Sequence, residues 1–155
     1  MGKMTIGILF GLLYATLAPA QVPDGISGTW KMTSSWGAGD QQSQIDLVMM
    51  LGIKGGDITG SIGPSEDVQP ITIAEGKIDG NSVLFYLRAP KAIMRISFRL
   101  QDGKAEGDFR SETDNGVTIE GTGTGRIQAK EMTFQWTSSR NGQTIQGKLV
   151  FTKLK

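Results

Sequence analysis

One β-hairpin pattern occurs twice in this chain, and the repeat restricts the fold more than any other feature. In residues 71–87, two runs of alternating apolar residues flank the turn residues Asp79, Gly80 and Asn81, a combination typical of a tight hairpin. The second copy matches Gly76, Lys77 and Ile78 with Gly125, Arg126 and Ile127, and Val83, Phe85 and Leu87 with Met132, Phe134 and Trp136. The sequence therefore predicts duplicated β units near residues 45–87 and 92–136.

Two details of the hairpin lead to specific predictions. Phe85 and Phe134 occupy equivalent positions in the two copies, so we expect both rings to be buried. In the first copy, Ile73 and Ile78 fall on opposite parities of one strand. Both can face the core only if an extra residue interrupts the pairing, because strand side chains alternate between faces. The sequence therefore predicts a β-bulge at Gly76.

The rest of the chain continues the alternation of apolar and polar residues. It is clear in residues 26–34, 44–54, 94–100 and 144–154, and no window shows the helical period. We expect about ten strands, or about eight as the fallback, joined by short connections as in a barrel or a sandwich. Local repetition, and a first strand able to pair with the last, favour the barrel. The predicted fold is all-β, a single antiparallel up-and-down barrel.

The N-terminus and the faces of the strands predict where this barrel is located. Residues 1–20 contain Lys3, an apolar stretch and Ala18-Pro19-Ala20, the pattern of a cleaved signal peptide. The apolar stretch is shorter than the ~20 residues that span a bilayer. Residues 21–155 then form the barrel domain, with apolar residues inside and polar residues outside, the reverse of an outer-membrane barrel. We expect a secreted or periplasmic protein that does not span the membrane after signal cleavage.

Composition excludes several classes of function. Once Lys3 is removed, the remaining basic residues balance the 15 acidic residues, and a neutral surface argues against nucleic acid as a partner. The chain contains no histidine and no cysteine, so no nucleophile–base pair can be named. The acidic residues do not follow the spacing of a calcium loop. We therefore predict no catalytic residues, no cofactor and no metal site.

The turns predict that the two ends of the barrel differ. Four connections at one end are short, whereas residues 35–43, 63–70, 88–92, 113–116 and 139–143 form polar and mostly longer loops at the other. Loops on a rigid scaffold commonly carry binding residues. The ligand-binding residues expected at the other end are Trp36, in a loop, together with Leu87, Arg88, Trp136 and Arg140.

The sequence leaves two main functions open, and an enzyme is a third option that would need carboxylates converging at the mouth of the barrel, with strongly perturbed pKa values. Two tryptophans and two arginines suit an apolar ligand with an anionic or polar tip, so the leading hypothesis is a small lipophilic ligand in the lumen of a non-enzymatic barrel. The alternative is a protein-binding or inhibitor module, in which Trp36 contacts a secreted partner and the barrel is solid. Glycines at strand-interior positions are interpreted as sites of strand bending, namely Gly60, Gly107, Gly121, Gly123 and Gly147.

Three motifs carry a resemblance to a known group. Gly28-Thr29-Trp30 opens the first strand, Ile58-Thr59-Gly60 lies in a later one, and residues 75–81 read EGKIDGN in the hairpin. The chain resembles the small exported bacterial barrel domains of calycin-like type, which are related to lipocalins and avidins and mostly lack an assigned role. The resemblance implies a calycin-like barrel with a tryptophan at its closed end, and it names no ligand.

Overall fold

The computed structural model describes residues 22, 23 and 25–155, in which ten strands and no helix are present. The predicted signal peptide, residues 1–20, lies outside the described residues. Each strand pairs antiparallel with its neighbours in the chain, and β1 pairs with β10 to close the barrel, which confirms the predicted fold. The strands are β1 (Gly28–Ala38), β2 (Gln41–Lys54), β3 (Asp57–Gly63), β4 (Ile71–Asp79), β5 (Ser82–Ala89), β6 (Ala92–Gln101), β7 (Lys104–Thr113), β8 (Thr118–Ile127), β9 (Glu131–Arg140) and β10 (Gln143–Lys153).

Alternation decides which side chains face the lumen. In β7, Ala105 and Ser111 are buried on the inner wall, whereas Glu106 and Asp108 are exposed on the outer wall. The same period of two runs along β8, as expected for strands with one apolar face. The two predicted repeat units correspond to β2–β5 and β6–β9. Over the described residues, no helix is long and apolar enough to cross a membrane.

The predicted bulge is present in β4. Pairing with β5 shifts between Ala74 and Lys77, so Glu75 and Gly76 together stand opposite a single residue of β5. Glu75 adopts a positive φ of 52°, which is uncommon for a residue with a side chain. A Cβ on Gly76 would lie 2.4 Å from the carbonyl oxygen of Ile58, so only glycine fits there. The prediction of a bulge at Gly76 is confirmed.

The hydrophobic core lies at the end of the barrel where β1 begins and β10 ends, which we call the Trp30 end. Trp30 is fully buried, and its indole N–H donates to the carbonyl of Ile26 at 2.9 Å. The pairing of β1 with β10 continues at this end, because the Thr29 N–H donates to the Lys155 carbonyl at 2.7 Å. The buried cluster comprises Ile26, Trp30, Met32, Met49, Ile62, Leu100, Ala105, Ile127, Met132 and Phe151.

The expectation that both hairpin phenylalanines are buried is wrong. Phe85 and Phe134 are only partly buried, and they belong to a chain of ring contacts with Phe98 and Phe151 at centroid separations of 6.0–6.4 Å. These ring contacts along the wall cover part of the surface of each phenylalanine ring. The rest stays accessible, because side chains from the opposite wall do not fill the space beside these rings. The alternation rule therefore gave the correct wall but not the depth of burial.

The predicted difference in loop length between the two ends is only partly correct, because three of the five connections predicted to be polar and mostly longer are two-residue turns. At the end opposite Trp30, which we call the Trp36 end, β1 and β2 are joined by Gly39 and Asp40 alone, and β5–β6 and β9–β10 are equally tight. Residues 35–43 therefore form a hairpin rather than a loop, with Trp36 on β1 opposite Ser43. Gly39 has a φ of 59°, which permits the two-residue turn. Only residues 64–70 and 114–117 form longer connections.

Candidate functional site

The inner wall near the Trp36 end is apolar and remains accessible. Trp36 is 37% exposed and Ile45 is 45% exposed, in contrast to the fully buried Trp30. Ile45 lies on the part of β2 that extends beyond β3, and Trp36 pairs with Ser43 on the same part, so both side chains are exposed at the rim of the barrel. The half-buried residues on the inner wall in this half are Leu47, Leu87, Met94, Ile96, Phe109, Ile119 and Trp136. We call the space that they surround the lumen; Leu47 and Leu87 pack against the hydrophobic core, and part of the surface of each of these side chains stays accessible.

Three of the five predicted site residues face this lumen. Trp36 pairs with Gly147 of β10, and Gly147 pairs in turn with Trp136 of β9, so the two tryptophans stand on either side of one strand. Leu87 lies on the other wall, opposite Met94 of β6. The structure therefore places Trp36, Trp136 and Leu87 on the inner wall from three separate parts of the chain.

The two arginines predicted at the mouth of the barrel lie in different places. Arg88 follows Leu87 on β5, so its side chain faces the outer wall, where its guanidinium lies 2.8 Å from the carboxylate of Glu75. The prediction of Arg88 at the mouth is corrected on this ground, because neighbouring strand residues point to opposite faces. Arg140 is the last residue of β9, on the same parity as Trp136, and is exposed at the rim. One arginine rather than two remains near the mouth.

Several strand glycines have a role that the sequence analysis missed. A Cβ on Gly147 would lie 2.1–2.4 Å from three indole atoms of Trp136, so the indole rests with its face on this glycine. The ring of Phe109 occupies the corresponding space over Gly121, at 2.4 Å from such a Cβ. These glycines make room for rings that lie against the neighbouring strand. The interpretation as bending sites is therefore replaced at these positions by cross-strand packing of an aromatic ring on glycine.

The polar groups of this inner wall are hydroxyls. Ser111 and Ser138 are buried on either side of β8, opposite Ile119 and Gly121 respectively. The Ser138 hydroxyl donates to the carbonyl of Glu120 at 2.5 Å. The sequence analysis missed both serines. Each lies two positions after an inward-facing aromatic residue. That spacing in the sequence could have predicted that both serines face inward.

Charged groups lie outside the lumen. No charged residue in the described part of the chain is buried, and every ion pair found there joins side chains that are at least 44% exposed. Residues 25–155 contain no group of three or more carboxylates, histidines or cysteines that could hold a metal ion. The lumen can therefore offer contact area and hydroxyl groups to a ligand, but no charge.

A second concavity lies on the outer wall, beside the turn between β5 and β6. It has a volume of about 490 Å³, and its lining includes Tyr86, Ile93, Arg95 and Arg110. Both arginines are already paired with carboxylates of neighbouring strands. These ion pairs occupy both guanidinium groups of the groove, so the apolar inner wall is taken as the candidate site.

Comparison with known proteins supports the fold. No family model and no curated protein matches the chain. A protein with unknown function of the DUF3598 family from Nostoc punctiforme has a TM-score of 0.59 and 16% identity, covering 86% of this chain and 49% of its own. This chain thus spans about half the length of that protein. Rv2717c from M. tuberculosis has a TM-score of 0.58 and 10% identity, covering 85% of this chain and 94% of its own. At such identities the likeness shows the fold alone.

Proposed function

We propose that this chain is an exported, calycin-like barrel without catalytic activity that binds a small apolar molecule in its lumen. The observation that carries the proposal is the accessible apolar inner wall at the Trp36 end, above a fully buried Trp30 end. A lumen closed at one end and accessible at the other is a common form of small-molecule site in β-barrels.

The apolar surface of the inner wall supplies the driving force for this binding. Each Å² of apolar surface removed from water contributes about 25 cal/mol, and a ligand in the lumen would cover both its own surface and that of residues such as Leu87, Met94 and Ile96. Ligand sites of this kind typically have volumes of about 300–1,000 Å³. The seating of Phe109 and Trp136 on glycines helps, because rings held against the wall leave the centre of the lumen free.

The tryptophans allow a direct test. Trp36 and Trp136 line the proposed site, whereas Trp30 is buried at the other end and serves as an internal reference. Titration with uncharged lipophiles is expected to give a saturable change in tryptophan fluorescence. The change should be smaller in Trp36→Phe, while Trp30→Phe should retain it. If no lipophile changes the emission of the wild-type protein, the lumen does not bind such ligands and the proposal fails.

The alternative function is a protein-binding or inhibitor module, which the exposure of Trp36 and Ile45 favours. Exposed aromatic and aliphatic residues are common anchors of protein interfaces. Under this alternative, Trp36→Ala would abolish capture of a defined secreted partner, and lipophiles would leave the fluorescence unchanged. Saturable lipophile binding that competes with no protein partner would exclude it.

Export is tested separately from binding. N-terminal sequencing of the protein recovered from the periplasm or the medium is expected to begin at Gln21, after Ala18-Pro19-Ala20. Recovery only in the cytoplasm with Lys3 retained would contradict export and leave the binding proposal to be judged on the fluorescence titration.

A further inference from the structure

We propose that the lumen selects uncharged aromatic molecules and rejects anionic lipids such as fatty acids. This inference rests on the proposed function and adds the chemical class of the ligand. It is also narrower than the sequence-based expectation of a ligand with an anionic tip, which depended on Arg88 facing the mouth.

The composition of the wall is the first argument. From the Trp30 end up to Ser138, the inward positions of β5 to β9 hold apolar residues, glycines, serines and one threonine. The buried polar residues of the described chain are Thr29, Ser111 and Ser138. An ionised group taken into such a wall loses its hydration and gains no counter-ion, and this costs several kcal/mol. A carboxylate must therefore stay in water.

The rim does not offer a strong alternative for an anionic head group. Arg140 is exposed there, and an ion pair between exposed groups contributes little to affinity because water and salt screen it. Arg88, which the sequence analysis expected beside it, pairs with Glu75 on the outer wall. An anionic lipid therefore gains little from the charge at the rim.

The aromatic rings of the wall favour a flat ligand. Trp136 lies on Gly147, and Phe109 meets it edge to face, with ring centroids 5.7 Å apart and planes at 82°. Aromatic pairs of this kind attract each other beyond what their buried area alone would give. Because the two rings are nearly perpendicular, a planar aromatic ligand can stack on one ring and contact the other with its edge. A flexible alkyl chain does not make such contacts.

Two dyes that differ by one charged group test the charge selectivity. N-phenyl-1-naphthylamine is neutral, and 8-anilinonaphthalene-1-sulfonate has the same ring system with a sulfonate added. We expect the neutral dye to bind the wild-type barrel with a Kd at least tenfold lower. Equal or tighter binding of the sulfonate overturns this inference and leaves the proposed function intact. If neither dye binds and the lipophile titration is also negative, the proposed function itself fails.

A pair of neighbouring substitutions tests where the selectivity arises. Met94 faces the lumen opposite Leu87, whereas Ile93 faces the outer wall and is 46% exposed. Met94→Lys is expected to tighten sulfonate binding at least tenfold and to weaken neutral binding, while Ile93→Lys changes neither by more than twofold. Thermal melting of both variants checks that they fold. Unchanged sulfonate binding in folded Met94→Lys would show that the dye does not enter the lumen and would overturn the inference.

A rim variant covers the case in which Met94→Lys does not fold. Arg140 is exposed at the end of β9, so Arg140→Gln is expected to preserve the fold. Neutral-dye affinity should stay within twofold, and sulfonate binding should weaken. A large loss of neutral-dye binding in this variant would make the rim charge, rather than the uncharged wall, the centre of recognition, and would overturn the inference.

Discussion

The two tryptophans of β1 face the same lumen from the same strand, and their environments are opposite. Trp30 is fully buried, with its N–H bonded to Ile26, whereas Trp36 is 37% exposed. Both follow the same alternation, and both are preceded and followed by polar or small residues. Strand parity therefore decides which wall of the barrel a side chain faces. How deeply that side chain is buried depends on which residues cover that end of the barrel.

Different closures explain the difference. At the Trp30 end, Ile26, which precedes β1, is buried in the core and bonded to Trp30, and the Leu154 N–H donates to the Thr29 carbonyl at 2.8 Å, which continues the β1–β10 pairing. At the Trp36 end, β2 pairs with β3 only from Val48 onwards, so residues 41–47 of β2 extend beyond that neighbour. No strand of the described chain pairs with this side of the overhang, and Ile45 on it remains exposed.

The largest expected effect comes from removing each tryptophan in turn. Trp30→Ala is expected to lower the free energy of unfolding by about 3–5 kcal/mol, because it opens a cavity in the core. Trp36→Ala should cost less than about 1 kcal/mol, since its ring is partly in water already. Urea denaturation of both variants measures the difference. Equal losses would mean that the Trp36 end is packed as tightly as the Trp30 end.

The duplicated hairpins offer a second comparison. Phe134 has ring neighbours on both sides, Phe98 at 6.2 Å and Phe151 at 6.0 Å, and packs against the core. Phe85 has one ring neighbour, Phe98 at 6.4 Å. We expect Phe134→Ala to cost about 3 kcal/mol, and Phe85→Ala about half of that because less contact is lost. If the two losses measured by denaturation were equal, the copies would be equivalent in packing as well as in sequence.

Sequence reasoning succeeded where the information is local. The alternation around Ile73 and Ile78 predicted the bulge, and the repeat predicted the barrel. The hairpin around Trp36 was predicted as a loop because its serines and glycines are typical of loops. Two residues that tolerate a positive φ are enough to form a turn, and the chain has them there. Arg88 was predicted to face the mouth of the barrel. It follows the inward-facing Leu87 directly, so its side chain faces the outer wall instead. The seating of Trp136 on Gly147 could not be predicted, since it depends on which residue of β10 stands opposite, and register across strands is not local.

The packing of the Trp136 indole on Gly147 leads to a third prediction. Gly147→Ala places a methyl group within 2.1–2.4 Å of the Trp136 indole, whereas a Cβ on Gly123, on the other side of Trp136, approaches its side chain no closer than 3.4 Å. Gly147→Ala should therefore cost about 1–3 kcal/mol through overpacking and shift the tryptophan emission, while Gly123→Ala should cost less and leave the emission unchanged. The same result for both variants would show that the indole is free to move.

The smallest expected effect concerns Asp46, on the outer wall of the β2 overhang. The hydroxyl of Thr33 donates to its carboxylate at 2.7 Å, and Lys31 lies 3.4 Å away. The hydrogen bond from Thr33, with help from Lys31, lowers the pKa of Asp46 below its ordinary value. A lowered folded-state pKa means that this stabilisation is present above the ordinary carboxyl pKa and disappears as the pH falls through the lowered value.

Titration of the Asp46 carboxyl carbon by NMR measures this directly. The pKa should rise in Thr33→Ala and rise less in Lys31→Ala, because the hydrogen bond is the larger cause. The overhang should loosen at acidic pH before the Trp30 end does, since the two strands joined by this contact are not covered by β3 along residues 41–47. Trp36 emission that changes at a higher pH than global unfolding would show this order. A single transition for both would mean that the overhang and the core unfold as one unit.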